Sequence, residues 1–143
     1  MSRVSQALRR RVQERARNLC EYCRTLADFT GHEFTVDHII PEAGGGASDF
    51  TNLCFCCFWC NNYKQARTQA RDPRTRRLVR LFHPRLDLWE DNFRWSPTST
   101  RLIGRTPVGR ATIDALRLNR QSLVSARRIW VRHGLHPPEP HAL

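Results

Sequence analysis

Residues 34–64 read FTVDHIIPEAGGGASDFTNLCFCCFWCNNYK, and the order of residue types along this stretch decides the fold. Phe34-Thr35-Val36 is short, aromatic and β-branched, so it predicts a strand reaching Asp37-His38. Pro41 ends regular pairing, and Gly44-Gly45-Gly46 makes a flexible loop. Leu53 to Cys56 predicts a second short strand, with Cys54 and Cys56 on one face and Phe55 on the other. Cys57-Phe58-Trp59-Cys60 then turns the chain. Asn61 opens a helix that runs to about Arg71 and stops at Asp72-Pro73.

Immediately upstream, Val4, Ala7, Leu8, Val12, Ala16 and Leu19 recur at steps of three and four, one face of an amphipathic helix capped by Ser2 or Ser5. Cys20-Glu21-Tyr22-Cys23 follows as a tight turn. With Cys57-x-x-Cys60 it supplies two ligand pairs, each able to face one tetrahedral ion from a single turn, as structural Zn²⁺ requires. Cys54-x-x-Cys57 has the same spacing, so the second pair has an alternative. Cys57 and Cys60 are preferred, and Cys54 and Cys56 are read as core. The N-terminal stretch lacks the apolar run of a secretory signal and no run approaches membrane-spanning length. The six cysteines therefore read as ligands and core in a cytoplasmic protein rather than as disulfides.

A length of 143 residues suits one small domain with a short appendage, of a size that often needs a metal staple. The net charge of +11 points to a polyanionic partner, nucleic acid before an anionic membrane. Of the 24 basic residues only Lys64 is lysine, and arginine forks suit phosphate. Residues 1–30 and 65–143 sum to +4 and +10, whereas residues 31–64 sum to −3. An acidic middle between basic flanks is how a cation site inside a nucleic-acid-binding surface would be laid out. Arg67, Arg71 and Arg74, expected on the helix that continues from Asn61, are the first candidates for phosphate contacts.

The succession Cys20-x-x-Cys23, Asp37-His38-Ile39-Ile40-Pro41, Gly44-Gly45-Gly46, Asn52-Leu53, Cys57-x-x-Cys60, Asn61 and Lys64 resembles the bacterial HNH endonucleases, over about residues 12–66. Phe82-His83-Pro84-Arg85 and Phe93-Arg94-Trp95 resemble the C-terminal extension of one bacterial branch. The resemblance implies an α+β chain with a small ββα-metal core, a structural zinc site, an N-terminal helix and a helical C-terminal extension. It carries the three letters onto His38, Asn52 and Asn61, with Asn in the last place where either side chain can ligate a cation, and makes Asp37 the acidic ligand. The chemistry asks for the same types. Neutral imidazole at His38 can take a proton from water, and Asp37 with the Asn61 carbonyl offers hard oxygens to Mg²⁺ or Mn²⁺. Asn61, at a helix start, would also turn free backbone N–H groups toward the phosphate. Asn52 would tie the glycine loop to the strands and hold His38, and Lys64 could reach a phosphate. Because adjacent residues on a strand face opposite ways, Asp37 and His38 can share a site only if the strand ends or bulges there.

The expected organisation is a nuclease core at 1–72, an extension at 73–133 and a flexible tail at 134–143. Irregular strands are expected over 74–95, with helices at about 107–118 and 120–132, the second closed by Gly134. His83 reads as structural or as a phosphate contact, and His32, His133, His136 and His141 as surface residues. The resulting expectation is a metal-dependent endonuclease acting on DNA, most simply double-stranded. Its rivals are a non-catalytic zinc-stapled nucleic-acid-binding module, which leaves Asp37, His38 and Asn61 without a task, and a redox protein, which accounts for neither the charge nor the histidine.

Overall fold

The computed structural model describes residues 4–140, so Ser2 and His141 lie outside the described residues. Helix α1 (Gln6–Arg15) begins where the Ser5 side chain accepts a hydrogen bond from the Leu8 N–H at 3.1 Å. It stops four residues short of Leu19. Arg17 and Asn18 take positive φ, turning the chain so that Leu19 pairs with Leu26 and the Cys20–Cys23 turn closes between them. Strands β1 (Thr35–His38) and β2 (Leu53–Cys56) form an antiparallel hairpin in regular register, Asp37 opposite Cys54 and His38 opposite Leu53.

The hairpin separates two apolar layers. Leu53 and Phe55 pack with Val12 and Ala16 of α1, while Cys54 and Cys56 face Cys20, Cys23, Cys60 and Tyr22 on the other side. This is the alternation expected for β2.

Helix α2 spans Phe58–Lys64 rather than Asn61 to about Arg71. Cys57 caps it, Sγ accepting from the Cys60 N–H at 3.4 Å, so the expected turn at 57–60 is the helix's first turn. The helix ends because Gln65 takes a positive φ and the chain enters β3 (Gln69–Arg71), which pairs with β4 (Leu78–Arg80). Arg67 therefore lies in the connection, Arg71 on a strand and Arg74 in the hairpin turn, not along one helix. All three are exposed.

The remaining elements are α3 (Trp89–Asn92), β5 (Phe93–Trp95) paired with β6 (Leu102–Gly104), α4 (Pro107–Leu116) and α5 (Gln121–Arg132). Residues 74–95 are thus two regular strands and a short helix where irregular strands were expected. The last two helices lie close to their expected positions, and Gly134, at φ +70°, ends the second.

The chain just beyond it makes contacts back to the body of the protein. The Leu135 N–H donates to the Trp130 carbonyl at 2.8 Å, and His136, 7% exposed rather than on the surface, lies edge-on to Trp95 at 4.4 Å. Burial pushes the His136 imidazole down to about 4. In sum the chain is a small mixed α/β unit of short antiparallel strand pairs with a cysteine cluster at its centre. No helix among the described residues is long and apolar enough to cross a membrane.

The β3–β4 turn is anchored by Asp72, whose carboxylate accepts from Arg110 of α4 at 2.9 and 3.0 Å, from the Arg74 N–H and from the Thr75 hydroxyl. The Arg110 guanidinium holds the Asp72 carboxyl well below the usual carboxylate range. Stability from this depressed group is present above its unfolded value, about 3.9, and is lost as pH falls below it. Asp72→Asn should lower the thermal midpoint at neutral pH, and the gap to the native chain should narrow as pH drops below about 4. Calorimetry across pH tests this, and a constant gap would remove the carboxylate from the account.

Candidate functional site

Four thiols from two distant turns meet in the core. The Sγ atoms of Cys20, Cys23, Cys57 and Cys60 all lie within 4.8 Å of one another, and all four residues are buried. A tetrahedral ion with sulfur bonds of ~2.3 Å needs sulfur–sulfur edges of about 3.8 Å, and the Cys23–Cys57 pair stands at 3.8 Å. The donor set fits zinc. Within the cluster the shared hydrogen bonds lower the Cys23 thiol, and with burial they raise those of Cys20 and Cys60, as expected of thiols crowded around one point.

Cys54 is buried outside this quartet and directs its sulfur toward the Tyr22 hydroxyl at 3.7 Å. The guanidinium of Arg120, at the start of α5, reaches Cys57 Sγ at 3.8 Å and Cys60 Sγ at 4.0 Å. No motif singled out Arg120, because its sulfur partners lie about 60 residues away in sequence.

Beside this cluster, Asp37, His38, Pro41, Glu42, Asn61 and Asn62 line an open cleft of about 490 Å³ between the end of β1 and α2. β1 ends at His38 with no bulge in its pairing, so the two neighbours project toward different elements and still border one cleft. Asp37 faces α2. Its Oδ2 is buried without a hydrogen-bond partner, 3.7 Å from Lys64 Nζ. Burial raises the Asp37 carboxyl above its ordinary value, against the opposing pull of Lys64.

Lys64 is not offered to a phosphate. It is 2% exposed, on the same inner side of α2 as Cys60, and its Nζ also lies 3.5 Å from the His38 carbonyl. Asn61 is the fourth residue of α2, and its N–H is taken by the Cys57 carbonyl at 3.0 Å, so it presents its side chain and no free helix-start amide.

His38 faces the glycine loop, where Nε2 is 2.7 Å from Ser48 Oγ and 3.3 Å from Glu42 Oε1. Neither partner was singled out from sequence. Glu42 stands four residues from His38, a spacing that carries no meaning outside a helix, and Ser48 left no signal.

Asn52 accepts from the Ile40 N–H at 2.9 Å and donates to the carbonyls of Ile40 and Ala47, both at 2.9 Å. The fold of this loop needs glycine at 46, where a Cβ would stand 1.8 Å from the Ile40 carbonyl oxygen and 2.6 Å from Asn52 Nδ2. His83 is not among the residues that line the cleft, and its Nδ1 accepts from the Arg85 and Leu86 N–H groups to close a turn.

Among the expected basic contacts, Arg67 spends its guanidinium on the Tyr63 and Ala115 carbonyls at 2.6 and 3.0 Å, joining the end of α2 to α4. Arg71 donates to the Arg76 carbonyl at 3.1 Å across the hairpin turn.

Zinc content of single Cys→Ser variants distinguishes the quartet from the alternative pairing. Cys20, Cys23, Cys57 and Cys60 variants should each lose the metal and much of the fold, since binding and folding are coupled. Cys54→Ser should keep both. A Cys54 variant stripped of metal beside a loaded Cys60 variant would reverse the assignment.

Comparison with known families finds that residues 20–75 match a family model described as HNH endonuclease. No curated protein and no solved structure matches the chain. The matched span runs from the first thiol pair through the cleft residues to the β3–β4 turn, so the likeness to the HNH endonuclease family rests on the segment that holds both the thiol cluster and the cleft.

Proposed function

We propose that the chain is a metal-dependent endonuclease hydrolysing DNA phosphodiester bonds, with His38 as general base and Asp37 and Asn61 as ligands of a divalent ion. The observation that carries this reading is the cleft that Asp37, His38 and Asn61 line together, with the Asp37 Oδ2 buried and without a hydrogen-bond partner on the Lys64 side. A desolvated carboxylate oxygen left unsatisfied is costly unless a positive group completes it. Lys64 at 3.7 Å does so only in part. Asp37 and the Asn61 carbonyl are hard oxygen donors that fit Mg²⁺ or Mn²⁺ and leave room for water and phosphate. The β1–β2 hairpin followed by α2 supports a ββα-metal core.

When bound, the ion would offset the charge that develops on the phosphate and on the leaving oxygen. The chain's own part is proton handling and positioning. With Nε2 held by Ser48 and Glu42, His38 has Nδ1 as its free basic nitrogen. Nδ1 takes a proton from water as the water oxygen bonds to phosphorus and the bond to the leaving sugar oxygen breaks. Asn52 acts through the loop, keeping Ile40 and Ala47, and hence the Ser48 side, against β1. Lys64 acts by countering the Asp37 charge from beneath.

In this division residues 1–72 carry the nuclease core and 73–133 an extension packed on it. Arg71 and Arg74 on the β3–β4 hairpin would hold phosphates at some distance from the reacting centre, whereas Arg67, held by the Tyr63 and Ala115 carbonyls, would serve the fold.

Cleavage of plasmid DNA with and without Mg²⁺ or Mn²⁺ tests the reading. His38→Ala should bind DNA as before and cleave roughly 10²-fold more slowly or worse, the usual scale for losing a general base. Cleavage within a few-fold of the native rate would falsify the assignment. Asp37→Ala and Asn61→Ala should abolish divalent-dependent cleavage while zinc content stays constant. Full activity in those variants would remove the ion from the cleft, and native protein that binds DNA but never cuts it would make this a zinc-stapled binding module.

A further inference from the structure

Helix α2 exposes aromatic surface that the cleft does not use. Phe58 and Trp59 are 53% and 47% exposed, although the opposite side of the helix packs on the thiol cluster. Trp59 and Tyr63, four residues apart and therefore one above the other, stack at 6.1 Å between centroids and 29° between planes. Phe58 meets Trp59 edge-on at 5.1 Å. The guanidinium groups of Arg117 and Arg120 stand 5.1 and 5.9 Å from the Tyr63 ring. A helix turns about 100° per residue, which places Phe58, Asn62, Trp59 and Tyr63 in succession around the exposed side of α2. Asn62 also lines the cleft with Asp37 and His38, so the aromatic face continues from the rim of the cleft.

We propose that this face is a stacking platform for unpaired bases, and that the preferred nucleic acid has single-stranded character beside the attacked phosphate. This rests on reading the cleft as a nucleic-acid site, and replaces the plain duplex expected from charge alone. A duplex hides its base faces inside its own stack, so exposed rings gain little from it. An unpaired base offers a π-face to any aromatic ring regardless of sequence. The exposed Arg117 beside the Tyr63 ring supplies charge that can track the sugar-phosphate chain, while Arg120 stays on the thiol cluster. Arg117 and the net charge of +11 favour a polyanion over an apolar protein partner on this face.

Binding is measured without divalent ion, so that failure to cleave and failure to stack are separate results. The probes are a labelled mixed-sequence DNA strand and the duplex it forms with its complement. Trp59→Ala should weaken binding of the strand by roughly 5-fold or more, the scale of losing one base–aromatic stack. Its duplex affinity should stay within about twofold, and Trp59→Phe should restore most of the loss. Phe58→Ala serves as a second variant, and zinc content with circular dichroism verifies that each is folded. Equal losses on both probes, or no loss on the strand, would overturn the platform. So would variants that change only self-association in sedimentation, which would make the face a protein contact.

Discussion

Four sulfurs that must converge on one point set the geometry of the rest of the chain. Cys23 and Cys57 are 34 residues apart in sequence and 3.8 Å apart in space, so everything between them forms a closed loop whose ends cannot drift. The backbone reinforces this closure where the Glu21 N–H donates to the Phe55 carbonyl at 2.9 Å and the Glu21 carboxylate accepts from the Phe55 N–H at 2.8 Å. Within that closed loop lie the whole β1–β2 hairpin and the glycine turn. The second thiol pair also starts α2, because Cys57 is its cap. The staple and the cleft are thus one construction: the residue that closes the metal site orients the helix that presents Asn61.

The electrostatics follow from placing an acidic pocket in a basic chain. Asp37 is half-buried against a fully buried lysine, an arrangement that costs desolvation on both groups and leaves one carboxylate oxygen unpaired. Four thiolates around a divalent ion would carry net negative charge, and Arg120 at the start of α5 lies against two of them. Burial alone would weaken the Arg120 charge, yet the sulfurs of Cys60, Cys23 and Cys57 raise its pKa above the usual arginine value. Through this contact, and through Arg110 on Asp72 and Arg67 on Ala115, helices α4 and α5 are tied to the segment that holds the cleft. Much of the arginine excess therefore has structural partners. The surface charge left for nucleic acid is smaller than the total suggests.

The local pattern and the spacing of ligand types were legible without a structure. The thiol pairs, the strand ending at Asp37-His38, the alternation of Cys54 and Cys56 against Phe55, and the two C-terminal helices are all short-range consequences of residue type. Asn52 as the tie of the glycine loop was legible for the same reason, since a side-chain amide near a glycine turn has few other uses. What stayed hidden depended on contacts across the chain. The end of α2 is decided by β3 pairing with β4, not by helix propensity at 65–71. The burial of Lys64 follows from the side of α2 that meets β1. His136 is buried because Trp95 and Trp130, 41 and 6 residues away, form its pocket.

The sequence by itself determined which chemistry was on offer: four soft thiolates for one ion, hard oxygens and an imidazole for another, and arginine for phosphate. Tertiary structure decided which of those groups are free to act. Lys64, Arg67 and Arg120 look alike as cations in the sequence, yet one is sunk beneath Asp37, one joins two helix ends through backbone carbonyls, and one lies on sulfur. The physical reason is that residue type sets intrinsic charge, softness and pKa, whereas availability depends on desolvation and on partners brought close only by the closed chain.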